Sequence, residues 1–193
     1  MAEAAALAPL TALGARAPRL DRIGAVTIAE NPDLALASVA QRRGHDLAAM
    51  GALPVPLPGP GSRAEGPDGL GALWLGPGSW MIETRLRPGG DLAAWLKARL
   101  GDAGSVTDQT DAWVCFDIEA ADAGALFERL CILDTRAMDA GHGARSVIEH
   151  VGCLILCREP NRRFSVLGPR SSAGSLHHAI VAAAAVLASG DPA

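Results

Sequence analysis

The apolar residues of this chain fall in short runs that come in pairs around turns, with single helix-like stretches between the pairs. GALWLG (71–76) and SWMIETR (79–85) flank Pro77-Gly78. VTDQT (106–110) leads into AWVCFDIE (112–119), and CLILCRE (153–159) is joined to RFSVLG (163–168) by the polar turn EPNRR. Two apolar runs around a tight turn read as a hairpin. Hairpins separated by single helices restrict the chain to an α+β class, with helices packed on one side of antiparallel sheet.

The remaining elements follow from local signals. GAVTIAE (24–30) alternates as a strand does. Asn31-Pro32-Asp33 has the form of a helix start, and PDLALASVAQRR then reads as a helix ending at Gly44. PVPLPGPGSRAEGPDG (54–69) reads as loop, because its Pro and Gly residues oppose regular pairing. Pro88-Gly89-Gly90 breaks the chain, and Asp91 caps a helix over DLAAWLKARLG that Gly101 ends. AADAGALFERLC (120–131) brings Ala123, Leu126, Phe127 and Leu130 to one face. Residues 132–143 connect it to the strand SVIEH, and Ser171 or Ser172 caps a last helix to about Leu187. The expected organisation is an extended N-terminal arm over 1–22, one α+β domain over 23–189, and a frayed tail over 190–193. Leu75, Trp80, Leu133 and Phe164 are the expected core positions.

Composition narrows the function classes. The chain has 193 residues, 49% hydrophobic and 20% charged, with a net charge of −4. That is the profile of one globular domain. No Lys/Arg run could form a nucleic-acid stripe, and tyrosine is absent, so neither phosphate neutralisation nor base stacking is expected. Glu3 and Pro9 depart from a secretory signal, and the apolar run AIVAAAAVLA (179–188) is too short to cross a bilayer. A cytoplasmic protein without a membrane or nucleic-acid partner is the expectation.

No residue pattern commits the chain to catalysis. Cys153 and Cys157, with His142 and His150 nearby, suggest zinc by spacing alone. In a strand, residues four apart lie about 13 Å from each other, too far to share an ion. His177 and His178 point about 100° apart on a helix, so one faces inward and the other outward. No G-x-S-x-G is present, and the glycine turns lack phosphate-loop and dinucleotide patterns. Asp117, amid an apolar strand, needs a partner if buried; Arg145 and Arg170 are candidates by segment position. Arg170 and Ser171 stand between a strand end and a helix start, a place suited to an anion or a partner chain. No catalytic, cofactor-binding or metal residue is assigned.

Read in order, LWLGPGSW (73–80), VTDQTDAWVCFDIEA (106–120), LCILDTR (130–136), GARSVIEHVGCLILCRE (143–159) and FSVLGPRSSAGSLHHAI (164–180) resemble the gamma subunit of heterotetrameric sarcosine oxidase. GAVTIAENPDLALASVAQRRG (24–44) resembles the family's first strand and helix. The matches that carry it are Leu75-Gly76-Pro77 with Trp80, Leu133-Asp134, and Arg170-Ser171. Where the family has a Val-Asp-Val-Ser-like strand, this chain has VTDQT, and His177-His178 stand near the place of a family aromatic. The resemblance implies an aminomethyltransferase-like (GcvT-like) folate-binding fold. It implies a non-catalytic gamma subunit working with alpha, beta and delta subunits. That complex oxidatively demethylates sarcosine to glycine with hydrogen peroxide and, with tetrahydrofolate, methylenetetrahydrofolate. It also implies no cofactor in this chain; FAD, FMN, NAD, tetrahydrofolate and zinc belong to the partner subunits. A stand-alone folate-binding protein, or folate-dependent aminomethyltransferase-like enzyme, is the alternative.

Overall fold

A computed structural model describes residues 8–86 and 90–190. The strands are β1 (Leu20–Ile23), β2 (Val26–Glu30), β3 (Leu34–Gln41), β4 (Arg63–Glu65), β5 (Gly71–Gly76), β6 (Ser79–Arg85), β7 (Gly104–Asp108), β8 (Trp113–Ala120), β9 (Gly143–Ile148), β10 (Val151–Glu159) and β11 (Arg163–Pro169). The helices are α1 (Leu47–Met50), α2 (Leu92–Leu100), α3 (Ala123–Leu130) and α4 (Ala173–Ser189). Two sheets result, ordered β1-β2-β8-β11-β10-β9 and β4-β5-β6-β3-β7, and every pairing is antiparallel.

The sheets stack face to face, with helices on both outer sides and not on one side alone as expected, because each sheet has a second apolar face to cover. Leu36, Leu73 and Met81 of the five-stranded sheet meet Cys115, Leu154, Leu156 and Leu167 of the six-stranded sheet. The outer face of the six-stranded sheet packs Phe116, Ile118, Phe164 and Val166 against Leu126 and Phe127 of α3 and Leu176 and Ile180 of α4. The outer face of the other sheet packs Val39, Trp80 and Ile82 against Leu47, Leu96 and Leu100. The fold is thus α+β with two antiparallel sheets between helices.

Two of the expected strand pairs are hairpins, but β7 and β8 do not pair with each other: β7 bonds to β3 in one sheet, and β8 lies between β2 and β11 in the other. β5 and β6 pair around Pro77-Gly78, where Gly78 takes φ 65, a conformation that glycine reaches without strain. β10 and β11 pair around the turn at Asn161. Asp91 caps α2 by accepting from the Ala94 amide at 2.8 Å. Asp91→Ala is expected to lower stability by about 1 kcal/mol, the usual loss of a cap, read as a lower urea midpoint.

Several expectations are corrected. PDLALASVAQRR is not a helix but strand β3, hydrogen-bonded on one side to β6 and on the other to β7. Leu36 faces the other sheet while Ala37 and Val39 face the helices, so both faces are buried and the apolar pattern loses its alternation. Tertiary burial outweighs the helix propensity of the alanines. Asn31 accepts from the Asp33 amide at 3.0 Å, so the apparent helix start is an Asx turn. The loop 54–69 contains edge strand β4, and α1 had no separate signal beyond Asp46, which caps it.

The arm expected to run to residue 22 stops earlier, because β1 begins at Leu20. Ahead of β1, the amides of Leu13 and Arg19 donate to the buried carboxylate of Glu30 at 3.0 and 3.1 Å. Residues 1–7, 87–89 and 191–193 lie outside the described residues, and with them most of the expected frayed tail, part of the arm and the Pro88-Gly89 break. α4 with its leading turn, Arg170–Ser189, is longer than the apolar run suggested; by length and composition it could cross a membrane. Here Leu176, Ile180 and Ala184 bury one side of it on the six-stranded sheet, the position of a core helix.

Candidate functional site

Arg170 follows β11 in a single 3-10 turn, Arg170–Ser172, that leads into α4. Its Nη2 donates to the Leu10 carbonyl at 2.7 Å, so the half-buried guanidinium holds the N-terminal segment against the end of the sheet. Ser171 is exposed. Ser172 occupies the cap position, but its side chain makes no capping bond, contrary to expectation. The leading 3-10 turn provides the connection instead, with the Ala173 amide bonded to the Arg170 carbonyl.

A chain of polar groups crosses the space between the sheets, where strand alternation places it among apolar neighbours. Glu83 of β6 accepts from Arg158 of β10 through both oxygens, at 2.8 and 3.1 Å. Arg63 of β4 donates to the same carboxylate from Nε at 2.6 Å and reaches Glu65 with Nη1. Arg158 Nε donates to Ser165 Oγ at 2.9 Å, and Ser165 donates to Asp117 Oδ1 at 2.6 Å. Asp117 Oδ2 accepts from Asn31 Nδ2 at 2.7 Å. Asp117 therefore pairs with neither Arg145 nor Arg170. Its carboxylate points into the inter-sheet layer, where Asn31 and Ser165 reach it first.

The Glu83 side chain is 6% exposed, as is that of Arg63. Burial pushes the Glu83 carboxyl up, but Arg158 and then Arg63 outweigh it, and the group lies below its ordinary 4.5. A carboxyl lowered by folding contributes stability above its unfolded value and loses it as pH falls through the folded one. Unfolding free energy should therefore drop on acidification below about pH 4.5, and Glu83→Gln should make that acid limb shallower in denaturant melts taken across the range. Gly71 completes the cluster by leaving space: a Cβ there would sit 2.7 Å from Arg63 Nη2 and 2.8 Å from Glu83.

The cysteines face away from reactive surroundings. Cys153 and Cys157 lie buried on the helix-side face of β10, with Sγ atoms against the carbonyls of Ser146 and Met138 at 3.6 and 3.5 Å. Burial pushes the Cys153 thiol up to about 12 and raises Cys157 as well. Burial, with the charge of Asp117, raises Cys115 well above its ordinary value. Among the described residues no group of three or more His, Cys, Asp or Glu is placed to hold a metal ion. His177 is buried, 2.7 Å from Asp21 and tilted against Phe116, while His178 is exposed. Trp80 and Phe164 are buried core residues; Leu75 and Leu133 pack at its margins.

Sequence reasoning reached Asp117 but missed Glu83, Arg63 and Arg158. Glu83 carried the one available signal: an acid in the apolar strand SWMIETR, on the same side as Met81.

No family model and no curated protein matches the chain. Among solved structures it is similar to a chain of the heterotetrameric sarcosine oxidase from Corynebacterium sp. U-96, in complex with pyrrole 2-carboxylate. The identity is 22% and the TM-score 0.75, over 90% of this chain and 91% of that one. It is also similar to glycine cleavage system aminomethyltransferase T from Bartonella henselae, with 13% identity and a TM-score of 0.60, over 82% of this chain and 46% of that one. The chain has the α+β fold found in one chain of that heterotetrameric oxidase and in part of the aminomethyltransferase.

Proposed function

We propose that this chain is the gamma-type accessory subunit of a heterotetrameric sarcosine oxidase. The observation that carries the reading is reciprocal coverage. The match takes in nine-tenths of both chains against the oxidase, but under half of the aminomethyltransferase. A chain equal in extent to one member of a four-chain assembly fits the role of such a member. In this reading its partners are alpha, beta and delta subunits in the cytoplasm, and the complex oxidises sarcosine to glycine and peroxide. FAD, FMN, NAD, tetrahydrofolate and zinc sit on the partners. For FAD and NAD alone, the antiparallel pairing supports that division, because dinucleotide sites form at switch points of parallel βαβ sheets. The polar cluster between the sheets satisfies itself, which suits a scaffold.

Deleting the chain from its native cells tests the reading. Sarcosine-dependent peroxide formation in extracts should fall to background and return when the intact chain is co-expressed; undiminished formation would overturn it. Calorimetry of the isolated chain with tetrahydrofolate should show no saturable heat. Stoichiometric binding would instead favour the stand-alone folate-binding alternative.

A further inference from the structure

The six-stranded sheet ends at β9, and the outer edge of that strand is open. Ile148 and Val151 flank the two-residue turn Glu149-His150, both left-handed at φ 47 and φ 65, so they form a hydrogen-bonded pair. Ser146 and Ala144 then also turn their backbone groups toward β10, while Gly143, Arg145 and Val147 turn theirs outward. The Gly143 amide donates to the Gly61 carbonyl at 3.1 Å. Among the described residues, the outward amides and carbonyls of Arg145 and Val147 have no partner.

Two side-chain observations fall on the same edge. Val147 is 56% exposed, at a kind of position where proteins more often place charge. Ser146, opposite Cys153, has a buried Oγ without a hydrogen-bond partner, an unfavourable state for a hydroxyl.

We propose that β9 pairs with β9 of a second copy of this chain across a two-fold axis. Antiparallel pairing of two edges joins residues whose backbone groups point outward on both. Only a register centred on Ser146 uses both free residues of each copy: Arg145 meets Val147 of the second copy, Val147 meets its Arg145, and each pair exchanges both backbone bonds. Ser146 then lies directly opposite Ser146 of the second copy in a non-hydrogen-bonded pair, with Cβ atoms about 4.5–5.5 Å apart. Rotation about Cα–Cβ lets the two hydroxyls bond each other. Val147 is covered by the aliphatic stem of the facing Arg145, and no like charges stand directly opposite. The other edges do not self-pair in this way. In β1 the same geometry sets Asp21 opposite Asp21. In β7 the Gly104 carbonyl already accepts from Lys97 at 3.3 Å, and β4 has only three residues. The pairing is independent of the subunit reading: two copies meet with or without other chains bound.

Light scattering of the eluting full chain tests it. In concentrated solution the mass should be twice the 19.8 kDa of one chain, and a dilution series gives the dissociation constant. Val147→Pro removes the Val147 donor from each pair, at an edge position where proline is tolerated, and should weaken the dimer by about tenfold or more. Circular dichroism checks that this variant keeps its fold. Independently of it, Ser146→Cys in a Cys153→Ala background, treated with diamide, should give a disulfide-linked dimer on a non-reducing gel. Ala144→Cys in the same background should not, because its two copies lie four residues apart along the ladder, about 13 Å. A monomeric mass at every concentration overturns the proposal. So does a dimer that Val147→Pro leaves unchanged, or linkage through Ser146→Cys no greater than through Ala144→Cys.

Discussion

Glu83→Ala is expected to destabilise the fold by about 3–5 kcal/mol, the scale of leaving a buried charge without its partner. Glu83 is the shared acceptor of Arg63 and Arg158, whose side chains are 6% and 22% exposed. Removing the carboxylate leaves two guanidiniums facing each other between apolar sheet surfaces. The two sheets depend on this contact differently: Arg63 and Glu83 belong to the five-stranded sheet and Arg158 to the six-stranded one. Arg158→Met should cost less, because Glu83 keeps Arg63 and methionine restores packing volume beside Leu156. Combining Glu83→Leu with Arg63→Met and Arg158→Met should recover most of the loss, since well-packed apolar groups often replace a buried ion cluster at little cost. Urea melts of the three variants check this. A loss below about 1 kcal/mol for Glu83→Ala would show that water reaches the cluster and screens it.

Phe164→Ala is expected to cost about 3–5 kcal/mol, the range for deleting a buried aromatic. Phe164 is 1% exposed in β11, which pairs with β8 on one side and β10 on the other. Its ring lies 4.8 Å from that of Phe127 in α3, tilted by 51°. The vacancy would open between sheet and helix, where two strand backbones and a helix limit collapse. Phe164→Leu should lose clearly less, because most of the volume stays filled. Thermal and urea unfolding of both variants measure the difference. Equal losses would mean that the ring contact, not the volume, carries the energy.

The parts of this fold that were legible in the sequence are those with local causes. Pro77-Gly78 and the turn after Glu159 mark hairpins, and Asp91 and Gly101 bound α2, because turn and cap chemistry is written within a few residues. β3 was misread because both its faces are buried, which removes the period-two signal, and because alanine favours helix when context is ignored. β4 hid in a Pro/Gly-rich stretch, where three residues pair only because β5 supplies the edge. The inter-sheet cluster was almost wholly illegible. Arg158 lies 75 positions from Glu83, and Asn31 lies 86 from Asp117, so no spacing rule connects them before the two sheets are stacked. Arg170 was singled out for an anion or a partner; in the fold it holds the Leu10 carbonyl, a contact that depends on where an N-terminal segment of weak local signal comes to rest.

Membership of a four-chain oxidase can be read out by native isolation. The tagged full chain is purified from its own cells, and the product is examined by native mass spectrometry, visible absorption and sarcosine turnover. A yellow assembly of four different chains in equal amounts that forms peroxide from sarcosine is expected. A folded chain recovered alone and colourless, while sarcosine oxidation fractionates elsewhere, would rule out membership of the assembly.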